Sequence, residues 1–247
     1  MNKIQLYIEK LHNLDDWDTY LMQESGLPGP RANLELMQTV AEVGDESRFL
    51  RWLSYTPDVA PVNTQQEFLA CCGTTGLGKL VKDGKKEYLE QLRLLASDPR
   101  WRVREAVAMA LQIYGEDHME ELITEMGNWA RGNNYEKRAA AAALCEPKLL
   151  SQKEQVSKVL QILETITCSI MEIADRKDEG FLALKKGLAY CWSVAIVAFP
   201  DEGKQRFEKL MTYDDKDIKW IMKENLKKDR LKRMDQEWTE SMKQKIK

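Results

Sequence analysis

The stretch Ser97–Leu111, SDPRWRVREAVAMAL, decides how the rest of the chain is read. Asp98 is a residue type that caps a helix start, and Pro99 follows at the first helical position, where a missing amide is harmless. Val103, Ala106, Val107, Ala110 and Tyr114 then recur at three- and four-residue spacing, which lays one apolar stripe along a helix. KKEYLEQLRLLA (85–96), just before the turn, is itself amphipathic. Helix, tight turn, helix is therefore the unit that this region predicts.

Outward from that unit the same pattern returns. Pro30 is expected to open a helix over PRANLELMQTVAEVG (30–44), with Gly44 closing it and a second helix following at once over GDESRFLRWLS (44–54). The prolines of TPDVAPVN (56–63) bar a helix there, and Thr64–Glu67 reads as a capping box for the next one. A further pair is predicted over 118–130 and 134–145, the second holding the alanine run of Arg138–Leu144. From Ser151 a stripe of Val156, Leu160, Leu163, Ile166, Ile170 and Ile173 predicts one helix continuing through Arg176, on the order of 37 Å long. Residues 182–199 are apolar nearly all round, which predicts a helix enclosed by its neighbours. EGKQRFEKLMTY and KDIKWIMKENLKK form a last pair around an Asp214–Asp215 turn. Ile218-Lys219…Leu226 repeats the spacing of Val103-Arg104…Leu111 at a distance of 115 positions, which three units of about 38 residues would fill. No alternating β-branched run competes with this reading, so the expected class is all-α, and the expected organisation one array over 1–247, most regular at 85–145 and 201–228, with a basic C-terminal tail from 229 to 247.

Composition narrows the function. With 43% hydrophobic and 31% charged residues the chain holds enough apolar material for a packed interior. No run of eighteen apolar residues occurs and MNKIQLYIEKLHNL alternates charge with hydrophobe, so no membrane span and no leader are expected, and a cytoplasmic protein is. Five cysteines without C-x-x-C spacing read as small hydrophobes in a reducing compartment, and two histidines, His12 and His118, lack the partners of a metal set. The net charge of −3 divides into +4 over Lys223–Lys247 and −7 over the rest, a weak footprint for wrapping a phosphate backbone.

With these residues in view, the chain resembles HEAT-repeat proteins. Asp98-Pro99…Val103-Arg104…Val107…Ala110-Leu111 is similar to the second-helix signature of a HEAT unit, and Arg138–Leu144 and Asp214–Leu226 are weaker copies. The resemblance implies an α-solenoid, an α-α superhelix of stacked antiparallel helix pairs whose second helices line a concave, macromolecule-binding face. Two enzymatic groups share such repeats, the bilin lyases of phycobiliproteins and the HEAT-like alkylpurine DNA glycosylases. The glycosylase motif of a Trp and an Arg after a Ser-Asp turn looks similar to Ser97-Asp98…Trp101…Arg104, but their acidic catalytic motif with flanking tryptophans is absent, so no catalytic residue carries over.

The turn cluster has two readings. Asp98, Pro99 and Asp214 are structural turn residues, and Arg104 is expected to reach an aspartate such as Asp98 and lock the stacking. Arg100, Trp101 and Arg104, with Lys219, Trp220 and Lys223 as a second aromatic–basic set, are the candidate partner-binding residues. Residues 71–79 (CCGTTGLGK) lack the glycine spacing of a phosphate loop and read instead as a close helix contact. No metal, cofactor or catalytic group is expected. The predicted function is a non-enzymatic scaffold that binds a protein or peptide. DNA binding or repair of the glycosylase type is the alternative, with nucleic acid as partner.

Overall fold

The computed structural model describes residues 2–246, and every described element is a helix, with no strand among the described residues. The chain divides into two compact units, Met1–Asp117 and His118–Lys247.

The first unit contains α1 (Lys3–His12), α2 (Trp17–Glu24), α3 (Leu34–Val43), α4 (Glu46–Leu53), α5 (Gln65–Lys82), α6 (Tyr88–Leu95) and the head of α7 (Trp101–Trp129). Its axis is α5, which is buried along most of its length and packs against α2, α3, α4 and α6. Three glycines let the neighbours come this close. A Cβ on Gly76 would fall 2.3 Å from the Phe49 ring, and one on Gly78 would fall 2.2 Å from the Ala110 carbonyl oxygen of α7. The glycine-rich segment is thus the interior of a continuous helix in tight contact with two others. Its start follows the capping reading in part. Thr64 Oγ1 accepts from the Glu67 amide at 3.3 Å, while the Glu67 carboxylate takes the amide of Asn63 at 2.7 Å instead of that of Thr64.

Pro30 does not open a helix. It lies in the 26–33 loop, and α3 starts at Leu34 because Asn33 Oδ1 caps the Leu36 amide at 3.2 Å. Gly44 closes α3 as read, and Asp45 caps α4. In α7 the backbone leaves helical geometry at His118 (φ −131°, ψ 44°), the residue at which the sequence predicts a new helix.

The second unit continues from that break with α8 (Asn134–Leu144), α9 (Lys153–Cys168), α10 (Glu179–Ala198), α11 (Pro200–Met211), α12 (Lys216–Leu226), α13 (Asp229–Met234) and α14 (Gln236–Lys245). Cross-helix contacts give the directions. Asn134 meets Asp178 at 3.4 Å and Cys191 Sγ donates to the Ala141 carbonyl at 3.4 Å, so α8 and α10 run parallel. Lys185 meets Asp217 at 2.7 Å and Asn225 Nδ2 donates to the Leu188 carbonyl at 2.9 Å, so α12 runs parallel to both. Ser157 with Glu202 and Lys209 with Glu164 make α9 parallel to α11. Lys204 with Asp235 and Trp238 Nε1 with Glu208 at 2.8 Å make α14 parallel to α11. Two parallel sets result in this unit, α8, α10 and α12 in one and α9, α11 and α14 in the other. In the first unit α5 and the head of α7 are related the same way, through Glu67–Arg102, Gly78–Ala110 and Lys82–Glu116.

The helix expected through Arg176 stops at Cys168. A 3-10 turn over Ser169–Glu172 follows, in which the Ser169 hydroxyl donates to the Ile166 carbonyl. The apolar periodicity persists past the break because Ile170 is itself buried. Arg176 then folds back onto the Ile170 and Ile173 carbonyls. α10 is the one described helix whose 20 residues and mean hydropathy of 1.4 match a membrane crossing by length and composition. Its packing against α8, α9, α11, α12 and α13 accounts for that composition, as the sequence reading of an enclosed helix anticipates. The C-terminal basic segment is itself helical. Phe207 of α11 meets Trp238 of α14 edge-on at 5.5 Å, and Thr239 and Met242 are buried.

Candidate functional site

At the head of α7 the three arginines do three different things. Arg100 is 3% exposed. Its Nε and Nη2 grip the Asp98 carboxylate at 2.9 and 2.8 Å, and Nη1 donates to the carbonyls of Tyr55 at 2.7 Å and Ala60 at 3.2 Å. Planar bidentate pairing of this kind fixes both partners. Arg102, also buried, donates to the Gly29 carbonyl at 2.7 Å, to Asn63 Oδ1 and to Glu67 Oε2 at 3.3 Å each. Together they tie the 26–33 and 55–63 loops to the starts of α5 and α7. Arg104 donates to the carbonyls of Asp98 at 2.5 Å and Pro99 at 2.9 Å. These two bonds hold Arg104 to the main chain of the turn, while the Asp98 carboxylate is gripped by Arg100. An ion pair from α7 to α5 is supplied by Arg102 and Glu67.

Trp101 stands apart from this network. It is 46% exposed, and the Arg102 guanidinium carbon sits 4.4 Å from the centre of its ring. A large aromatic is held in place from below while part of its surface faces solvent. Arg100, by contrast, faces inward. Glu67 Oε1 and Arg102 Nε have no hydrogen-bond partner among the described residues, so this buried pair is incompletely satisfied. Cys71 lies one turn along α5 from Glu67, and burial pushes its thiol up, away from thiolate chemistry.

The second unit holds a similar arginine–aspartate clasp, with the charges of the cross-helix pair reversed. Asp215 caps α12 through the amides of Asp217 and Ile218. Arg176 clasps Asp215 at 2.6 and 3.0 Å and Asp217 at 2.7 Å. Asp217, in register with Arg102 when Ile218 is aligned with Val103, pairs with Lys185 of the preceding parallel helix at 2.7 Å. The Lys185 ammonium also lies 4.4 Å from the Trp220 ring centre. Lys219 pairs with the exposed Asp214 at 2.7 Å, Trp220 is half-buried and Lys223 is exposed. The three share one surface of α12. Tyr190 of α10, 45% exposed, carries the Arg230 guanidinium 4.6 Å above its ring.

An open groove of about 560 Å³ in the second unit is lined by Glu164, Phe199, Asp201, Glu202, Gln205, Arg206 and Lys209. Its cations are committed within it, Arg206 to Glu164 and Glu202, and Lys209 to Glu164. Among the described residues no three His, Cys, Asp or Glu side chains gather as a metal-binding set.

Arg102, Glu67, Lys185, Tyr190 and Arg230 were not singled out by sequence. Two of them left a signal: Glu67 in the capping box, and Lys185 as a charge inside an otherwise apolar helix, which marks a buried or half-buried partner. No protein-family model matches this chain, and no curated protein matches it either.

Proposed function

We propose that this chain is a HEAT-like α-solenoid that works without catalysis, holding a protein or peptide partner against its layer of second helices. The parallel arrangement of α8, α10 and α12, and of α5 with the head of α7, supports the repeat reading. The observation that carries the binding reading is Trp101. A tryptophan exposed at 46% and immobilised on a buried guanidinium offers apolar area with little side-chain entropy left to lose, the property of an interface anchor. Trp220 with Lys223 supplies a second, smaller anchor of the same kind. The five unpaired thiols, four of them buried, suit a reducing cytoplasmic setting.

The test is selection of a random peptide library on the immobilised full chain, alongside Trp101→Ala, with circular dichroism confirming that the exposed substitution leaves the helices intact. Peptides enriched on the native chain and lost on the variant are the expected result. Enrichment of nothing, or equal enrichment on both, refutes the reading. Duplex DNA titrated in parallel tests the other partner class. Binding that falls steeply with rising salt, without peptide capture, would transfer the function to nucleic acid.

A further inference from the structure

We infer that the open face made by α10, α12 and α13 binds an extended acidic peptide, with Lys186, Lys223 and Arg230 taking its carboxylates. This rests on the partner-binding reading above and names the partner's chemistry. Residues 216–233 hold eight Lys or Arg against three Asp or Glu, the densest positive run in the chain. Part of that charge is spent internally, since Lys219 pairs with Asp214 and Lys227 with Glu224. Lys186 and Lys223 are exposed and make no ion pair among the described residues, so they remain for a ligand.

Arg230 is the most specific element. Its guanidinium carbon lies 4.6 Å from the Tyr190 ring centre, and one of its N–H groups donates to the Tyr190 hydroxyl. A guanidinium anchored in this way keeps its remaining N–H groups for a carboxylate and loses little freedom when one arrives. Neighbouring parallel helices pack about 8–10 Å apart, and alternate residues of an extended chain are about 6.6 Å apart. An extended peptide crossing from α10 to α12 thus places successive same-side carboxylates within reach of flexible lysines on both helices.

The same contacts argue against nucleic acid. Lys185 over Trp220 and Arg230 over Tyr190 occupy ring faces that bases would need for stacking. Asp214, Glu224 and Asp229 also interrupt the positive surface, which suits spaced carboxylates better than a continuous phosphate chain.

The experiment is fluorescence anisotropy on the full chain with a labelled peptide of about twelve residues, three repeats of Glu-Leu-Asp-Gly, spanning about 40 Å when extended. Gln-Leu-Asn-Gly repeats serve as the neutral control, and single- and double-stranded oligonucleotides of matched length as the phosphate control. Saturable binding of the acidic peptide is expected, weakening as ionic strength rises, with the neutral peptide silent. Lys186→Glu/Lys223→Glu should weaken it by about tenfold or more at unchanged helicity, and Arg230→Lys should weaken it less than Arg230→Ala. Equal binding of the neutral peptide, indifference to the charge reversal, or oligonucleotides binding more tightly through the same lysines would each overturn the proposal. If the acidic peptide does not bind while library selection still yields peptides lost on Trp101→Ala, the partner-binding function stands and this assignment of chemistry falls.

Discussion

Replacing Gly78 by alanine tests the packing of the first unit. The added Cβ would lie 2.2 Å from the Ala110 carbonyl oxygen, 2.5 Å from its Cα and 2.6 Å from its carbonyl carbon. Comfortable contact lies at about 3.5 Å or more, so α5 and α7 would have to separate by roughly 1 Å. All three obstructing atoms are main chain, and no rotamer change relieves the clash. Overpacking of this kind costs about 1–3 kcal/mol, with this site at the upper end, whereas alanine in place of an interior helical glycine returns about 1 kcal/mol. The net expectation is a loss of about 2 kcal/mol. Gly127, in the second part of α7, provides the opposite case, because a Cβ there meets nothing within 4 Å. Gly127→Ala should gain about 0.5–1 kcal/mol. Urea and thermal unfolding followed by circular dichroism read both, and the midpoint temperature should fall by about 4–8 °C in the first variant and rise by about 1–4 °C in the second. A Gly78→Ala protein as stable as the parent, at an unchanged urea dependence, would refute the close approach of these helices.

Two further outcomes follow from the buried charges. Arg102→Met leaves the Glu67 carboxylate buried without its cation and should cost about 3–5 kcal/mol, much of which the double variant Glu67→Gln/Arg102→Met recovers. Equal loss in the single and double variants would show that the pair is not the source. For Asp215 and Asp217 burial acts to raise the carboxyl pKa, yet Arg176, with Lys185 at Asp217 and two amides at Asp215, holds both below the ordinary value. A depressed folded-state pKa gives stability that is complete above the unfolded value of about 3.9 and lost as pH falls through the folded value. Acid unfolding below about pH 4 should therefore be shallower in Arg176→Ala, which starts from a lower plateau at neutral pH. Parallel curves for variant and parent would exclude this clasp as an acid-sensitive element.

Much of the architecture was legible because period and punctuation agreed locally. Asp45 and Asp215 cap true helix starts, and the all-round apolarity of 182–199 announced a central helix. Asp98 takes the Arg100 amide, but Pro99 is not the first helical residue, because α7 begins at Trp101. The failures came where a tertiary partner overrode a local signal. Pro30 looked like a helix opener, but Asn33 offered a cap three residues later. The stripe beyond Cys168 kept its spacing while a hydroxyl and a folded-back arginine ended the helix. The candidate site was half legible. Periodicity places Trp101 and Lys223 off the apolar stripe, but it cannot distinguish an arginine that faces solvent from one that reaches a loop 40 or 73 positions away, as Arg100 and Arg102 do.

The opposite signs of the two buried rungs, cation on α7 against anion on α5 and anion on α12 against cation on α10, bear on how such a chain can be rearranged. Each helix pair is keyed. Grafting the α7 segment in place of α12 would set Arg102 against Lys185, and the reciprocal graft would set Asp217 against Glu67, like against like at a site shielded from water. An exchange of these two segments therefore meets like charge at either destination, whereas replacing both members of one pair together keeps the charges opposed.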